Sequence, residues 1–474
     1  MAFFKKIQKI EYDEILSKKI LRQYNKTRIK KNREYLCHAP FKSMTFFLGG
    51  KVMACWHNKQ FLLGEFPKNT IQEIWFGERR NKLKNFIKNS DLRLGCFECY
   101  KNLESGLFAT SGASRYDYLP VSNTDYPVSI DFQICNTCNN ECIMCVGEYS
   151  SSIRMHREHS PNYENPYDNS FIKQLEPFIP FLKEASFSGG EVFLCESYYE
   201  IWKKFAQINP EIIVSVSTNG TVIYDRVKEI INKLKFNINI SLDASDKVLF
   251  EKIRKNSNFE QILKNLDYFD QYTKEKQTSL IARINVIQQN YDNVPELIQE
   301  LNKKNIKIHF NQVVFPPYSA IWMLDSYIIE QITEKYKKIK LAQDSLIQKQ
   351  NTMNLKELIE KLNQWKKLSM DFKKSQDRYN VMTVNELMII LFKKIEENFE
   401  RNLSFEENEK EILIQKVTDA FESLKIEIEE RVLKNAFIFY LSMPINRLID
   451  EFNLRNRDSL KVFTRQAGIY KINI

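Results

Sequence analysis

The run Cys138-Asn139-Asn140-Glu141-Cys142-Ile143-Met144-Cys145 begins four residues after a strand-like stretch, Val128 to Ile134. A loop just past a strand sits at the carboxyl end of a parallel sheet, where α/β folds hold their ligands. Its C-x3-C-x2-C spacing lets three thiolates close on three irons of a [4Fe-4S] cluster and leaves the fourth iron open. Electron-transfer clusters are usually held by four cysteines, so a set of three asks what completes the site. Zinc is the alternative; it usually takes four ligands as two pairs, and Cys135 could complete such a set.

Outward from this loop, residues 127–318 alternate short strand-like runs with amphipathic ones, the pattern of repeated βα units around a parallel sheet. Six strands are predicted: Val128 to Ile134, Ala185 to Ser188, Ile212 to Ser217, Ile238 to Leu242, Leu280 to Val286 and Ile306 to Val313. Helices fall between them at Tyr224 to Leu234, Phe259 to Tyr272 and Val294 to Lys304, with apolar residues recurring at three and four. Six units are too few for a closed eight-stranded barrel.

Residues 37–104 read as a small cysteine-rich module, with Gly49-Gly50 marking a hairpin. Its core leans on Phe46, Phe47, Trp56, Phe61, Ile74 and Trp75, and a domain this small often needs a metal or disulfides. Residues 1–36 form a basic helical segment and 105–126 a linker. Residues 319–474, rich in Leu, Ile, Lys and Glu, read as a helical region.

The chain has 474 residues, 43% hydrophobic and 27% charged, without an apolar run long enough for a membrane span. Met1-Ala2-Phe3-Phe4-Lys5-Lys6 lacks the apolar core of a signal peptide, and a cytoplasmic location is expected. The net charge of +10 is modest for this length, and its signs are interspersed. Lys18 through Arg33 therefore reads as a solvated helix face rather than a nucleic-acid surface. Nine cysteines without a secretory signal favour metal ligation over disulfides.

The next predicted strand ends in Phe187-Ser188-Gly189-Gly190-Glu191. Two glycines allow close backbone approach, and the carboxylate can accept from an ammonium group. C-x3-C-x2-C followed by a strand-terminal Gly-Gly-Glu resembles the radical S-adenosylmethionine (radical SAM) superfamily, whose fold is a partial (β/α)6 barrel. The fold class expected is thus α/β, a partial TIM-like barrel flanked by the cysteine-rich module and the helical region. By resemblance, Cys138, Cys142 and Cys145 ligate the cluster, and Gly189, Gly190 and Glu191 hold the methionyl amino group of S-adenosylmethionine. Ser217, ending the third strand, is implied near the methionyl carboxylate, and Ser241 and Asp243, ending the fourth, near the ribose. Arg254 is implied at the carboxylate. Met144 stands where an aromatic residue often touches adenine, and can itself pack on a purine. Ser217 and Ser241 would otherwise be turn or cap residues, and Arg254 a solvated helix residue.

Cys37, Gly50 and Cys55, with twelve and four residues between them, resemble the opening of a SPASM/twitch auxiliary-cluster domain, and Cys96-x2-Cys99 supplies two more thiolates. The resemblance implies one auxiliary [4Fe-4S] cluster, here before the barrel rather than after it. The same spacing would also satisfy a four-cysteine zinc site. Cys135 and Cys195 are left over and read as small buried residues. His38 and His57 lie beside the module's cysteines, with core or surface roles expected. Tyr318 and Trp322 read as lining the substrate cavity or packing the barrel on the C-terminal helices.

The resemblance implies reductive cleavage of S-adenosylmethionine to a 5'-deoxyadenosyl radical that abstracts a substrate hydrogen. The substrate class it implies first is a peptide or protein, modified oxidatively; small-molecule or carbohydrate oxidation is second. A flavodoxin- or ferredoxin-like reductant would supply electrons. A non-catalytic, metal-stabilised scaffold that binds a macromolecule is the alternative of a different class.

Overall fold

The computed structural model describes residues 15–30, 33–121 and 124–470. Its strands are β1 (Ser43–Phe47), β2 (Lys51–Met53), β3 (Gly64–Glu65), β4 (Ser129–Gln133), β5 (Glu141–Cys142), β6 (Glu184–Phe187), β7 (Ile213–Thr218), β8 (Lys235–Ser241), β9 (Arg254–Lys255), β10 (Leu280–Asn285) and β11 (Lys307–Asn311). Nine form one sheet in the order β11-β10-β8-β7-β6-β4-β1-β2-β3, and β5 and β9 pair separately. The six strands expected from the sequence are β4, β6, β7, β8, β10 and β11, all parallel, with helices such as Asp225–Lys233, Phe259–Lys276 and Val294–Lys303 between them. The sheet does not close.

The strands of the cysteine-rich segment extend this sheet. β1 pairs parallel with β4, from Ser43 opposite Ser129 to Phe47 opposite Gln133, and β2 and β3 follow antiparallel. The physical reason lies in β1 itself. Met44 and Phe46 are buried on the apolar side, and Phe46 stacks on Phe132 with ring centroids 5.6 Å apart. A slight core is thus completed by the barrel's core.

Strands buried on both faces read as continuous apolar runs; these alternate. Ile130, Phe132, Ala185, Phe187, Val214 and Val216 are buried towards the helices, where each large side chain contributes roughly 1.5–3 kcal/mol. On the other face, Thr45, Asp131 and Ser186 stand side by side across β1, β4 and β6. Asn239, Arg283 and His309 continue that face on β8, β10 and β11. The inner face of the open barrel is polar.

The C-terminal residues form helices Ser326–Lys337, Leu346–Tyr379, Val384–Phe399, Glu407–Glu427, Glu430–Ser442, Ile445–Leu454 and Arg457–Ala467. They reach both edges of the sheet. At β11, Asn351 accepts from the Ile308 amide (2.9 Å) and donates to Ile306 O (3.0 Å). At the opposite side, Lys51 of β2 donates to Asn453 O (2.5 Å) and Leu454 O (2.7 Å), and Lys416 donates to Phe452 O and Arg455 O. Two lysines thereby satisfy the terminal carbonyls of one helix. No helix among the described residues is long and apolar enough to cross a membrane.

The basic segment falls partly outside the described residues. Within them, helix Lys18–Thr27 turns Tyr24 inward and leaves Lys18, Lys19 and Lys26 exposed, while Arg28 pairs with Asp117 at 2.7 Å.

Replacing Asn351 with Ala would strand two backbone groups at the β11 edge, at a cost of about 1–3 kcal/mol for each buried unsatisfied group. Hydrogen exchange at the Ile308 amide is expected to accelerate at least tenfold, with β6 and β7 amides little changed.

Candidate functional site

The cysteine loop is braced from its own downstream turn. Ser151 Oγ accepts from the Cys138 amide (3.1 Å), Ser150 Oγ donates to Asn140 O (2.7 Å), and Arg157 donates to the carbonyls of Cys142 and Cys145. Glu141 lies between Ser152, His156, Lys255 and Asn256. Burial pushes its carboxyl up, but these partners outweigh it and hold the pKa at about 2. β5 pairs with β9, so that Cys142 faces Arg254 across the ladder. Cys138, Cys142 and Cys145 gather at the carboxyl end of the sheet, close enough that the Cys142 thiolate raises the affinity of both others for their protons. Burial is the larger cause, lifting Cys138 to about 12 and Cys142 and Cys145 upward as well.

Gly189 and Gly190 sit at φ +84° and +56°, in the left-handed region. A Cβ on Gly190 would lie 2.4 Å from Thr137 O, and one on Gly189 2.8 Å from Cys135 O. The glycines therefore let the end of β6 lie against the backbone leading into the cysteine loop; the Glu191 amide donates to Thr137 O at 2.7 Å. The Glu191 carboxylate is fully buried and accepts from Thr218 Oγ1 (2.7 Å), the Phe193 amide (3.2 Å) and the Asn219 amide (2.6 Å). Burial raises its pKa. Both oxygens serve the protein's own turns, so Glu191 holds the end of β6 to that of β7. Asn219 carries the link onward, its Nδ2 lying 3.9 Å from Cys138 Sγ and 2.9 Å from Asn139 Oδ1.

Asp243 and Arg254 meet each other. The guanidinium forks onto one carboxylate oxygen of Asp243 at 2.8 and 2.7 Å, both side chains being buried. Asn285 donates to the other oxygen from its amide (2.6 Å) and its side chain (3.1 Å). The remaining Arg254 nitrogen lies 3.7 Å from Cys142 Sγ. Ser217 and Ser241 lie on the polar inner face, across the ladder from Asn239 and Arg283. Met144 packs on an apolar patch of Ile253, Ile287 and Val313. Tyr318 is near Cys145, whose charge adds to burial in raising the Tyr318 hydroxyl's pKa. Trp322 stacks on Phe439 and so packs the barrel on the C-terminal helices.

The four N-terminal cysteines line one cavity: Cys37 and Cys55 flank β1 and β2, and Cys96 and Cys99 lie at the start of helix Phe97–Glu104. Burial raises all four thiols, Cys55 to about 12. Among the described residues no three His, Cys, Asp or Glu side chains converge on a single-ion position. His57 shares this cavity, its Nε2 is buried with no hydrogen-bond partner, and burial lowers its pKa to about 4. A donor set of four thiols with an orphaned imidazole nitrogen beside it fits a polar, sulfur-ligated group. His38 is a core residue bonded to Leu119 O at 2.8 Å. Cys135 and Cys195 are buried free thiols hydrogen-bonded to one another; the Cys195 thiol donates, which lowers Cys135 to about 7, and burial together with this bond raises Cys195.

Two separate thiol sets thus flank the open parallel sheet, one of three with Gly-Gly-Glu packed against it and one of four around a cavity. Residues 132–301 match the radical SAM superfamily, and residues 37–100 match the SPASM iron-sulfur cluster-binding domain. Together these domains imply the S-adenosylmethionine-binding [4Fe-4S] cluster, S-adenosylmethionine and an auxiliary iron-sulfur cluster.

Among curated relatives, the chain is 22% identical over 209 residues to GTP 3',8-cyclase of Chlorobaculum tepidum (43% of this chain, 58% of that protein). It is 26% identical over 133 residues to GTP 3',8-cyclase of Staphylococcus carnosus (27% and 37%). The chain thus spans less than two thirds of the length of either. Among solved structures, anSMEcpe with bound AdoMet is 16% identical, with 44% of this chain and 59% of that one covered at a TM-score of 0.35. SuiB of Streptococcus suis bound to precursor peptide SuiA is 15% identical, with 53% and 60% covered at 0.33.

The sequence reading missed Asn219 as a link to Cys138, although it lay in the quoted Ser217-Thr218-Asn219-Gly220. It also missed the bracing by Arg157. The polar inner face was legible as period-two alternation in each strand.

Gly190→Ala would drive the strand end into Thr137 and displace the loop. Iron and sulfide are expected to fall towards about four per chain, the content of one [4Fe-4S] cluster, and unchanged content would contradict this packing. Arg254→Met is expected to cost about 3–5 kcal/mol by stranding the buried carboxylate. Adding Asp243→Asn should recover part of that loss in denaturant unfolding.

Proposed function

We propose that this protein is a radical SAM enzyme that removes a hydrogen atom from a peptide or protein and modifies it oxidatively. The observation that carries this reading is the polar inner face, with a three-cysteine site at its carboxyl end and a four-cysteine site against β1 and β2. When bound, a [4Fe-4S] cluster with S-adenosylmethionine supplies the 5'-deoxyadenosyl radical, and an auxiliary cluster a second redox centre.

The chain's own residues bind and orient. Cys138, Cys142 and Cys145 are the ligands of the first cluster, and Cys37, Cys55, Cys96 and Cys99 those of the second. Gly189, Gly190 and Glu191 form the turn beside the methionyl group, where Glu191 acts by fixing the turn to Thr218 and Asn219. Arg254 directs a donor at the Cys142 sulfur, a contact of the kind that tunes cluster potential. Asp243 limits how much of that positive charge is left uncompensated. Met144, Ile253, Ile287 and Val313 give the site one apolar wall that excludes water. Ser217 and Ser241 offer hydroxyls on the inner face for the methionyl carboxylate and the ribose.

Side-chain amides and hydroxyls along that face offer the mixed donors and acceptors that a peptide backbone requires, which supports the peptide reading. A small polar molecule is the second reading, favoured by the name of the curated relatives, GTP 3',8-cyclase.

Anaerobically purified protein is expected to be brown, with about eight iron and eight sulfide per chain if both sites hold [4Fe-4S] clusters. Dithionite and S-adenosylmethionine should yield 5'-deoxyadenosine. Cys138→Ala should abolish that product, whereas Cys96→Ala should spare part of it. A colourless protein containing only zinc after cluster reconstitution would overturn the proposal.

A further inference from the structure

On the wall of the lumen formed by β10 and β11, no carboxylate among the described residues pairs with Arg283 or His309. Arg283 faces His309 across one ladder and Ser241 across the other. Its guanidinium donates to Asn239 Oδ1 (3.1 Å) and Asn311 Oδ1 (3.3 Å), neutral acceptors that aim it without cancelling its charge. Arg115, exposed on the turn Gly112–Tyr116 beside the N-terminal cysteine cavity, is near enough for its charge to act on both Arg283 and His309. The charges acting on Arg283 and His309 are all positive: burial first, then Arg283, Arg115 and Lys307, hold His309 at about 4, a neutral imidazole at ordinary pH.

Among the other buried cations, Arg80 ends on the carbonyls of Pro40, Trp75 and Phe41 and Lys42 on that of Thr124, while three arginines meet acids. Arg28 meets Asp117, Arg254 meets Asp243, and Arg455 lies between Glu148 and Glu451. The acids of the lumen are on its opposite wall and already engaged. Asp131 takes Thr45, and Glu184 takes Ser129 Oγ at 2.8 Å together with the Tyr118 hydroxyl.

We propose that Arg283 and Arg115 together hold an anionic group of the substrate, a carboxylate or a phosphate, inside the lumen between the two cysteine sites. This deepens the function proposed above and rests on it. Two guanidinium forks match the paired oxygens of such a group, and neutral His309 can add one N–H without adding charge. Asn285, whose side chain touches Asp243, is two residues further along β10. The Arg283 guanidinium spans from Asn239 to Asn311, the residue in register with Asn285, so the anion lies in the lumen next to the Asp243–Arg254 pair. The uncharged remainder of the substrate then extends towards Cys138, Cys142 and Cys145.

Calorimetric titration of the protein with both sites loaded tests this, using inorganic phosphate in one arm and succinate in the other. At least one anion should bind, with the dissociation constant raised tenfold or more by Arg283→Gln and by Arg115→Gln, and unchanged by Lys276→Gln on an outer helix. Arg115 is exposed, so a loss in its variant is not a loss of fold. Binding of phosphate alone assigns a phosphoryl substrate, and of succinate alone a carboxylate. No binding to the wild-type protein, or equal binding by both arginine variants, overturns the proposal. 5'-Deoxyadenosine formation is scored separately, so arginine-dependent binding without cleavage would refute the radical chemistry and leave the anion site standing.

Discussion

The carboxylate of Glu191 is the contact on which the rest of the site depends. It collects a hydroxyl and two amides from Thr218, Phe193 and Asn219, and it is buried without a compensating cation in contact. A buried carboxylate is tolerated only when its oxygens are satisfied, so the ends of β6 and β7 are obliged to keep this geometry. Through Asn219 the constraint reaches Cys138, and through the two glycines it reaches Thr137 and Cys135. The cysteine loop is therefore positioned by the strands beneath it as well as by its own turn.

Much of this was legible in the sequence, because hydrophobic periodicity survives folding. The six parallel strands appear within a few residues of their expected ends, since Ile130, Phe132, Val214 and Val216 have nowhere else to be buried. The grouping of Cys37, Cys55, Cys96 and Cys99, which line one cavity, was readable from their spacing. What was not legible was pairing over distance. The sequence offered Asp243 and Arg254 each as a contact for S-adenosylmethionine, and nothing in their local context announces that they bind one another. The extension of the sheet by β1 was hidden for the same reason, since Ser43–Phe47 reads equally well as half of an isolated hairpin.

Electrostatics divides the interior. Around the three-cysteine loop, charges are matched closely, with Asp243 against Arg254 and Glu141 among Lys255, His156, Ser152 and Asn256. On the β10 and β11 wall of the lumen the matching stops: neutral amides orient Arg283 but leave its charge in place. Preorganised polarity of this kind costs stability in the empty state and is recovered only when a complementary group arrives.

The joint between Lys51 and the end of helix Ile445–Leu454 joins residues 402 and 403 positions apart. A chain made from its N-terminus folds its early elements first, so this joint must wait until the residues between its two ends have been synthesised. Both sets of cysteines, Cys37 to Cys99 and Cys138 to Cys145, leave the ribosome long before Asn453 and Leu454 arrive to cover the β2 side. Order of synthesis thus presents both sets of thiols in the nascent chain before this joint can form.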